Sequence, residues 1–247
     1  MQGWKLFKHA LRMVVGNWRA ALHIFLLPSL LLGAVLYVTT GHLSPSEADF
    51  YADELFIKNG LVYWFLTALF LLWVVVGWHR FILLKETPQK LLPPFHFNHM
   101  IRYAGKALAI FGLSLLIFIP FVVLVVVLVV VLDLSFTNEQ SLWHAVLLVV
   151  TYFGLRWSLV LPAAAIGRPM KLSQSWAVGN QGVFALLAVA IYGMYSVSFG
   201  ISEVLTANFG SFGAGISLAI IDQLAWIINV SIVTCLYGHY IEGRSVD

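Results

Sequence analysis

Charge is what this sequence has least of. Charged residues make up 10% of its 247 positions, against about 25% in an ordinary soluble domain, while 61% are hydrophobic. A soluble chain this short must cover its surface with polar groups, so the imbalance excludes a soluble fold. Cysteine is almost missing too: a lone Cys235 excludes an internal disulfide framework and any cysteine-based zinc site. The net charge of +3 is too small a bias to indicate a nucleic-acid partner. Catalytic signatures are also absent. There is no G-x-S-x-G, no H-E-x-x-H, and no phosphate-loop Lys-Ser/Thr after Gly210, Gly213 and Gly215, which are expected to mark a flexible outer loop. No acid, base and nucleophile share a neighbourhood, so the chain is expected to be neither an enzyme nor a cofactor protein.

What is present is a series of long apolar runs. A helix crosses a bilayer core with about 20 apolar residues. Charge-free runs of that order lie between Arg19 and Glu47, between Lys58 and Arg80, and between Lys106 and Asp133. The pattern returns over 143–165, broken by Arg156, over 182–202, and over 216–240, broken by Asp222. Six crossings is the economical count. The valine run after Pro120 would suit a strand in water, but a lone strand in lipid leaves its backbone groups unpaired, so helix is expected. Pro28 and Pro120 should bend spans one and three. The predicted fold is an all-α integral membrane bundle of six transmembrane helices, a single domain over 1–247.

Charge distribution sets the orientation. Twelve Lys and Arg residues fall before span one, between spans two and three, between four and five, and after six, while the opposite side holds only Lys58 among seven acidic residues. By the positive-inside rule both termini are cytoplasmic. Trp18, Trp64, Trp78 and Trp143 lie near span ends, where indole rings favour the headgroup level. Residues 1–19 carry Lys5, Lys8, Arg12 and Arg19 and lack a cleavage site, so span one is expected to be retained.

Short basic amphipathic helices are expected in the membrane interface before spans one, three and five. The first places Leu6, Phe7, Ala10, Leu11 and Val14 opposite Lys5, Lys8, His9 and Arg12. The second places Phe97, Met100, Ile101 and Ala104 opposite His99, Arg102 and Lys106, and the third sets Leu172 and Trp176 against Lys171, Ser173 and Gln174. Lys5, Lys8, Arg12, Arg19, Arg102 and Lys106 are the candidate contacts to anionic lipid headgroups. Val15-Gly16-Asn17 recurs as Val178-Gly179-Asn180, with Ala104-Gly105-Lys106 between them, and Arg80-Phe81-Ile82-Leu83 echoes Arg156-Trp157-Ser158-Leu159. These spacings suggest a three-fold repeat of helix plus hairpin.

The stretch LVLPAAAIGRPMKLSQSWAVGNQGVFALLAVAIY, with its proline-ended span, its Ser175-Trp176 pair and a small residue before the next span, resembles bacterial multi-pass proteins related to the membrane domain of glycerophosphoryl diester phosphodiesterases. The resemblance covers about 35 residues and the six-span layout. It implies a bacterial inner-membrane protein of uncharacterised role. The soluble catalytic barrel of those enzymes is absent from the sequence, so their activity does not carry over.

The informative polar residues are few. An arginine within a span is costly unless it snorkels, pairs or meets water, which singles out Arg156. Asp222 lies at the outer interface if span six is 223–241. If the span begins near 216, Asp222 is about 10 Å deep, Arg156 becomes a partner for it, and Asn229 lies near the depth of Arg156. Arg156, Asp222, Gln223 and Asn229 therefore form the candidate intramembrane site. His79, His96, His99 and His239 fall near one membrane face, but no carboxylate or cysteine pattern accompanies them, and interfacial histidines are the simpler reading. A haem between His23, His79 and His239 is simpler still to set aside. Short loops leave the apolar flanks as the contact surface, favouring a scaffold, assembly factor or accessory subunit with lipids and other membrane proteins as partners. The alternative is a small transporter or channel built around Arg156, Asp222 and Asn229.

Overall fold

The computed structural model describes residues 2–40, 54–87, 92–131 and 139–246, and every regular element among them is a helix. In chain order these are α1 (Gln2–Gly16), α2 (Trp18–Ala21), a π-helical turn (Leu22–Leu26), α3 (Leu27–Thr40), α4 (Glu54–Leu84), α5 (Phe97–Val131), α6 (Glu139–Trp157), α7 (Val160–Ala165), α8 (Leu172–Ala177) and α9 (Gln181–Tyr240). Among the described residues, five segments are long and apolar enough to cross a membrane: Trp18–Val35, Trp64–Leu84, Phe97–Leu124, Gln181–Ser198 and Ile221–Tyr240.

The run expected as span four differs. Its helix, α6, ends at Trp157, eight residues before the expected end at 165. The helix stops there because Pro162 has no N–H for the carbonyl of Ser158, which instead accepts from Leu161 N at 2.9 Å, and α7 starts afresh with Pro162 in its first turn. The two prolines expected to bend helices are accommodated differently. The turn before Pro28 widens into the π segment, where the Leu27 N–H reaches back to Leu22 O. Around Pro120, α5 runs on without interruption.

Backbone assignment is helical throughout α9, including the glycines expected to form a loop. Yet Ser198 Oγ donates to Asp222 Oδ1 at 2.6 Å, although residues 24 apart in a straight helix would lie about 36 Å apart. Phe184 likewise stacks on Tyr240 with centroids 6.1 Å apart. The chain therefore folds back near residue 210, about midway between these pairs, and α9 is two antiparallel arms.

The arm Ile221–Tyr240 is the central column. On one side Leu236 and Tyr237 pack with Leu6 and Ala10 of α1, Leu155 of α6, and Phe184 and Leu187 of the other arm. On the other, Ile227 and Val230 meet Ile24, Phe25, Val74 and Trp78. Polar groups join these elements, because between apolar helices a satisfied hydrogen bond adds directional attraction. Trp78 Nε1 donates to Ser231 Oγ at 3.0 Å. Thr234 gives its hydroxyl proton to Val230 O, so His79 carries its proton on Nδ1 and donates it to Thr234 Oγ1 at 2.8 Å.

Three local expectations are corrected here. Trp78 is fully buried with its N–H satisfied, not an interfacial anchor, whereas Trp18 and Trp64 are exposed and the Trp143 side chain lies outside the described residues. The apolar face of α1 packs on protein: Leu6 and Ala10 are buried, and a Cβ on Gly3 would lie 3.4 Å from Val183 O. Residues 97–106 are no separate interfacial helix but the first turns of the 35-residue α5. The reversal near residue 210 falls where the glycine-rich outer loop was expected, although the backbone there is helical. The three junctions of the suggested repeat also differ, since Gly16 ends α1, Gly105 lies inside α5, and Gly179 has φ +86°. The sequence also suggests a short amphipathic outer helix over 46–57, of which 46–53 lies outside the described residues and 54–57 opens α4.

Lys85 ends α4 with φ +57°, the left-handed conformation that glycine adopts without strain. Lys85→Gly is expected to raise stability by about 0.5–1 kcal/mol, read as a higher midpoint on thermal unfolding in detergent. A lower midpoint would contradict this account of the turn.

Candidate functional site

The end of the bundle that carries both termini is closed by a layer of polar contacts. The turn at Lys85 brings Glu86 back beside Arg80, four residues before the end of α4. Arg80 Nε donates to Glu86 Oε2 at 2.8 Å, Nη2 to Oε1 at 2.5 Å, and Nη1 to Ala165 O, at the end of α7, at 3.1 Å. This fork satisfies a buried guanidinium and compensates the negative end of a short helix. His96 Nε2 lies 3.3 Å from Glu86 Oε2, and the His99 ring is 5.9 Å from that of His96. A carboxylate therefore does accompany these histidines, although among the described residues no group of three or more His, Cys, Asp or Glu could hold a metal ion.

The Arg80 hydrogen bond holds the Glu86 carboxyl below its ordinary pKa. Burial, helped by the nearby Arg80 charge, holds His96 below 6.5. The folded state thus binds fewer protons than the unfolded chain at each group, and stability falls on acidification, first below about pH 6.5 through His96 and again below about 4.5 through Glu86. Unfolding midpoints in detergent should drop between pH 7.5 and 5.5, and His96→Gln should flatten that drop. An unchanged pH slope in the variant would exclude His96 as its source.

The tail closes the same end. Arg244 donates to Ile82 O at 3.2 Å and Leu83 O at 2.7 Å, satisfying carbonyls that the end of α4 leaves without helical partners. Glu242 joins Arg168 at 2.8 Å and Arg244 at 2.7 Å. His239 Nδ1 donates to Arg244 O at 3.0 Å, which leaves Nε2 to accept from Gln2 Nε2 at 2.8 Å. Between α1 and the tail is a cleft of about 880 Å³ bordered by His9, Arg12, Lys85, His239 and Arg244. Burial, with Arg12 and His239 nearby, lowers the pKa of His9.

Arg156, at the end of α6, is 5% exposed. Its Nη2 donates to Trp176 O, and its guanidinium lies 4.7 Å from the Trp176 ring and 5.1 Å from Phe184. Ser175 Oγ returns a bond to Arg156 O at 2.8 Å, and Phe153 stacks on Trp176 at 5.7 Å. The arginine thus clamps the short helix α8 through its backbone and through aromatic faces that stabilise a cation. Nε and Nη1 have no hydrogen-bond partner among the described residues.

No protein family, curated protein or solved structure matches the chain.

The four residues expected to share an intramembrane site are not gathered. Arg156 lies at the level of Phe184, and Asp222 at that of Ser198, about 21 Å further along the arm. Gln223 follows Asp222, its buried Nε2 without a hydrogen-bond partner among the described residues, and Asn229 is half-buried. Of the candidate lipid contacts, Lys5, Lys8, Arg12, Arg19 and Arg102 are exposed and Lys106 is half-buried. Sequence reasoning missed the ion pair of buried Arg80 with half-buried Glu86. The available signal was the resemblance between the Arg80 and Arg156 tetrapeptides, since both arginines donate to a backbone carbonyl of a later segment.

Proposed function

We propose that the chain is a six-crossing protein of a bacterial inner membrane, with both termini cytoplasmic, and that it acts by contact, as a scaffold, assembly factor or accessory subunit. The resemblance to phosphodiesterase membrane domains supplies the bacterial setting. The weak fourth run is the sixth crossing, its Arg156 end lying at the cytoplasmic headgroup level. Anionic lipids meet Lys5, Lys8, Arg12, Arg19, Arg102 and Lys106.

The observation that carries this reading is α5. Its 35 residues span about 52 Å, more than the roughly 30 Å of a hydrocarbon core, so its basic first turns project from the bilayer. From residue 101 to 124 no described side chain is buried against the rest of the chain. Leu108, Phe111, Leu116 and Ile119 stand more than half exposed along it. A crossing helix with so little intramolecular packing offers a surface for a helix of another membrane protein.

A photo-crosslinking residue at Leu116 tests this in native membranes. A discrete protein adduct is expected, absent when the crosslinker is placed at buried Leu187. Lipid adducts alone, with a solitary monomer on native gels, would overturn the contact role. Reporter fusions finding either tail outside the cell would overturn the topology.

A further inference from the structure

Where α5 passes the turn after α7, the chain leaves an open cleft of about 970 Å³. Four cations border it: Arg102 and Lys106, one turn apart on α5, and Arg168 and Lys171 on the connection to α8. Among the described residues no acidic side chain lines it. Arg168 is engaged by Glu242, but Arg102, Lys106 and Lys171 make no ion pair among the described residues. Gln174 uses its carbonyl to accept from Lys171 N at 2.8 Å, which leaves its amide N–H groups available at the rim. The floor is apolar and small, with Ala109, Val160 and Ala164, and a Cβ on Gly105 would meet nothing within 4 Å.

We infer that this cleft is a discrete binding site for the headgroup phosphate of an anionic glycerophospholipid. Unpaired cations this close repel one another, and a phosphate between them replaces repulsion with charge-assisted hydrogen bonds. Ala109 of the apolar floor belongs to the crossing part of α5, so an acyl chain attached to the phosphate continues along the exposed Leu108 side without leaving hydrocarbon. A free anion would gain nothing from that floor. Basic pockets between crossing helices at the cytoplasmic face suit such headgroups. The cleft beside the tail is less suited, because its Arg244 is already committed to the carbonyls of α4.

This inference rests on the membrane reading above, and the test separates the two. The full chain is purified in a neutral detergent, and its thermal midpoint is followed on adding phosphatidylglycerol, phosphatidylcholine or inorganic phosphate. Phosphatidylglycerol is expected to raise the midpoint and phosphatidylcholine is not. The triple variant Arg102→Gln, Lys106→Gln, Lys171→Gln should lose at least tenfold in apparent phosphatidylglycerol affinity. Gly105→Phe fills the cleft while keeping every cation, and should lose the response as well. Lys5→Gln, Lys8→Gln on α1 should retain it. Equal stabilisation by inorganic phosphate would overturn a lipid ligand. An unchanged response in both cleft variants, or an equal loss in the α1 variant, would overturn the site. Recovery of the chain from the soluble fraction of cells would instead refute the membrane reading itself.

Discussion

Trp78→Ala is expected to lower the unfolding free energy by about 3–5 kcal/mol, the range for removing a fully buried large aromatic side chain. Trp78 is 0% exposed. It meets Phe25 edge-on at 5.3 Å and reaches Ser231 on the central column at 3.0 Å, so its loss opens a void where three segments converge. Trp78→Phe keeps most of the ring volume. It gives up one N–H donor, while the Ser231 hydroxyl still donates to Ile227 O, and the expected loss is about 1 kcal/mol beyond the smaller packing change. Titration with a denaturing detergent in mixed micelles measures both. A loss under about 1 kcal/mol for the alanine variant would show that the void collapses or that Trp78 is not packed as described.

Gly179→Ala is expected to cost about 2–5 kcal/mol, from left-handed strain and overpacking together. Its φ is +86°, and an added Cβ would lie 2.6 Å from Phe184 Cε2 and 3.2 Å from Tyr240 Cε2. Phe184 is fully buried and stacked on Tyr240, so neither ring can withdraw without disturbing the core. Gly105→Ala supplies the contrast. That glycine is inside α5, faces open space, and is expected to gain up to about 1 kcal/mol in helix propensity. Similar unfolding midpoints for the two variants would refute the difference between their sites.

Much of the helical architecture was legible because hydropathy reports solvent. Runs without charge between Arg19, Lys58 and Lys106 and their acidic or basic partners downstream became the first three crossing segments, and the backbone demand for internal hydrogen bonds dictated helix. What periodicity could not tell is which oily face meets lipid and which meets protein, because both environments select the same residues. That is why the face of α1 bearing Leu6 and Ala10 read as lipid-facing, though it packs on α9, and why Trp78 read as an anchor. The polar layer was hidden for another reason. Arg80 and Glu86 sit next to a span end, where charges ordinarily meet water, and only the turn at Lys85 folds one onto the other. Arg156 stood out in the sequence as a charge within an apolar run, but its companions are a backbone carbonyl and aromatic rings, which carry no charge pattern to read.

The placement of the column Ile221–Tyr240 imposes an order on biogenesis. Cys235 Sγ donates to Leu6 O at 3.8 Å and His239 binds Gln2, so α1 is completed by an arm made more than 200 residues after it. Until then α1 waits with its apolar stripe uncovered, and both cores lack their shared wall. Nascent intermediates must therefore persist until this arm is made, held by bilayer insertion alone, and a chain stalled shortly before residue 221 would present quality-control proteases with helices that have nothing to close around.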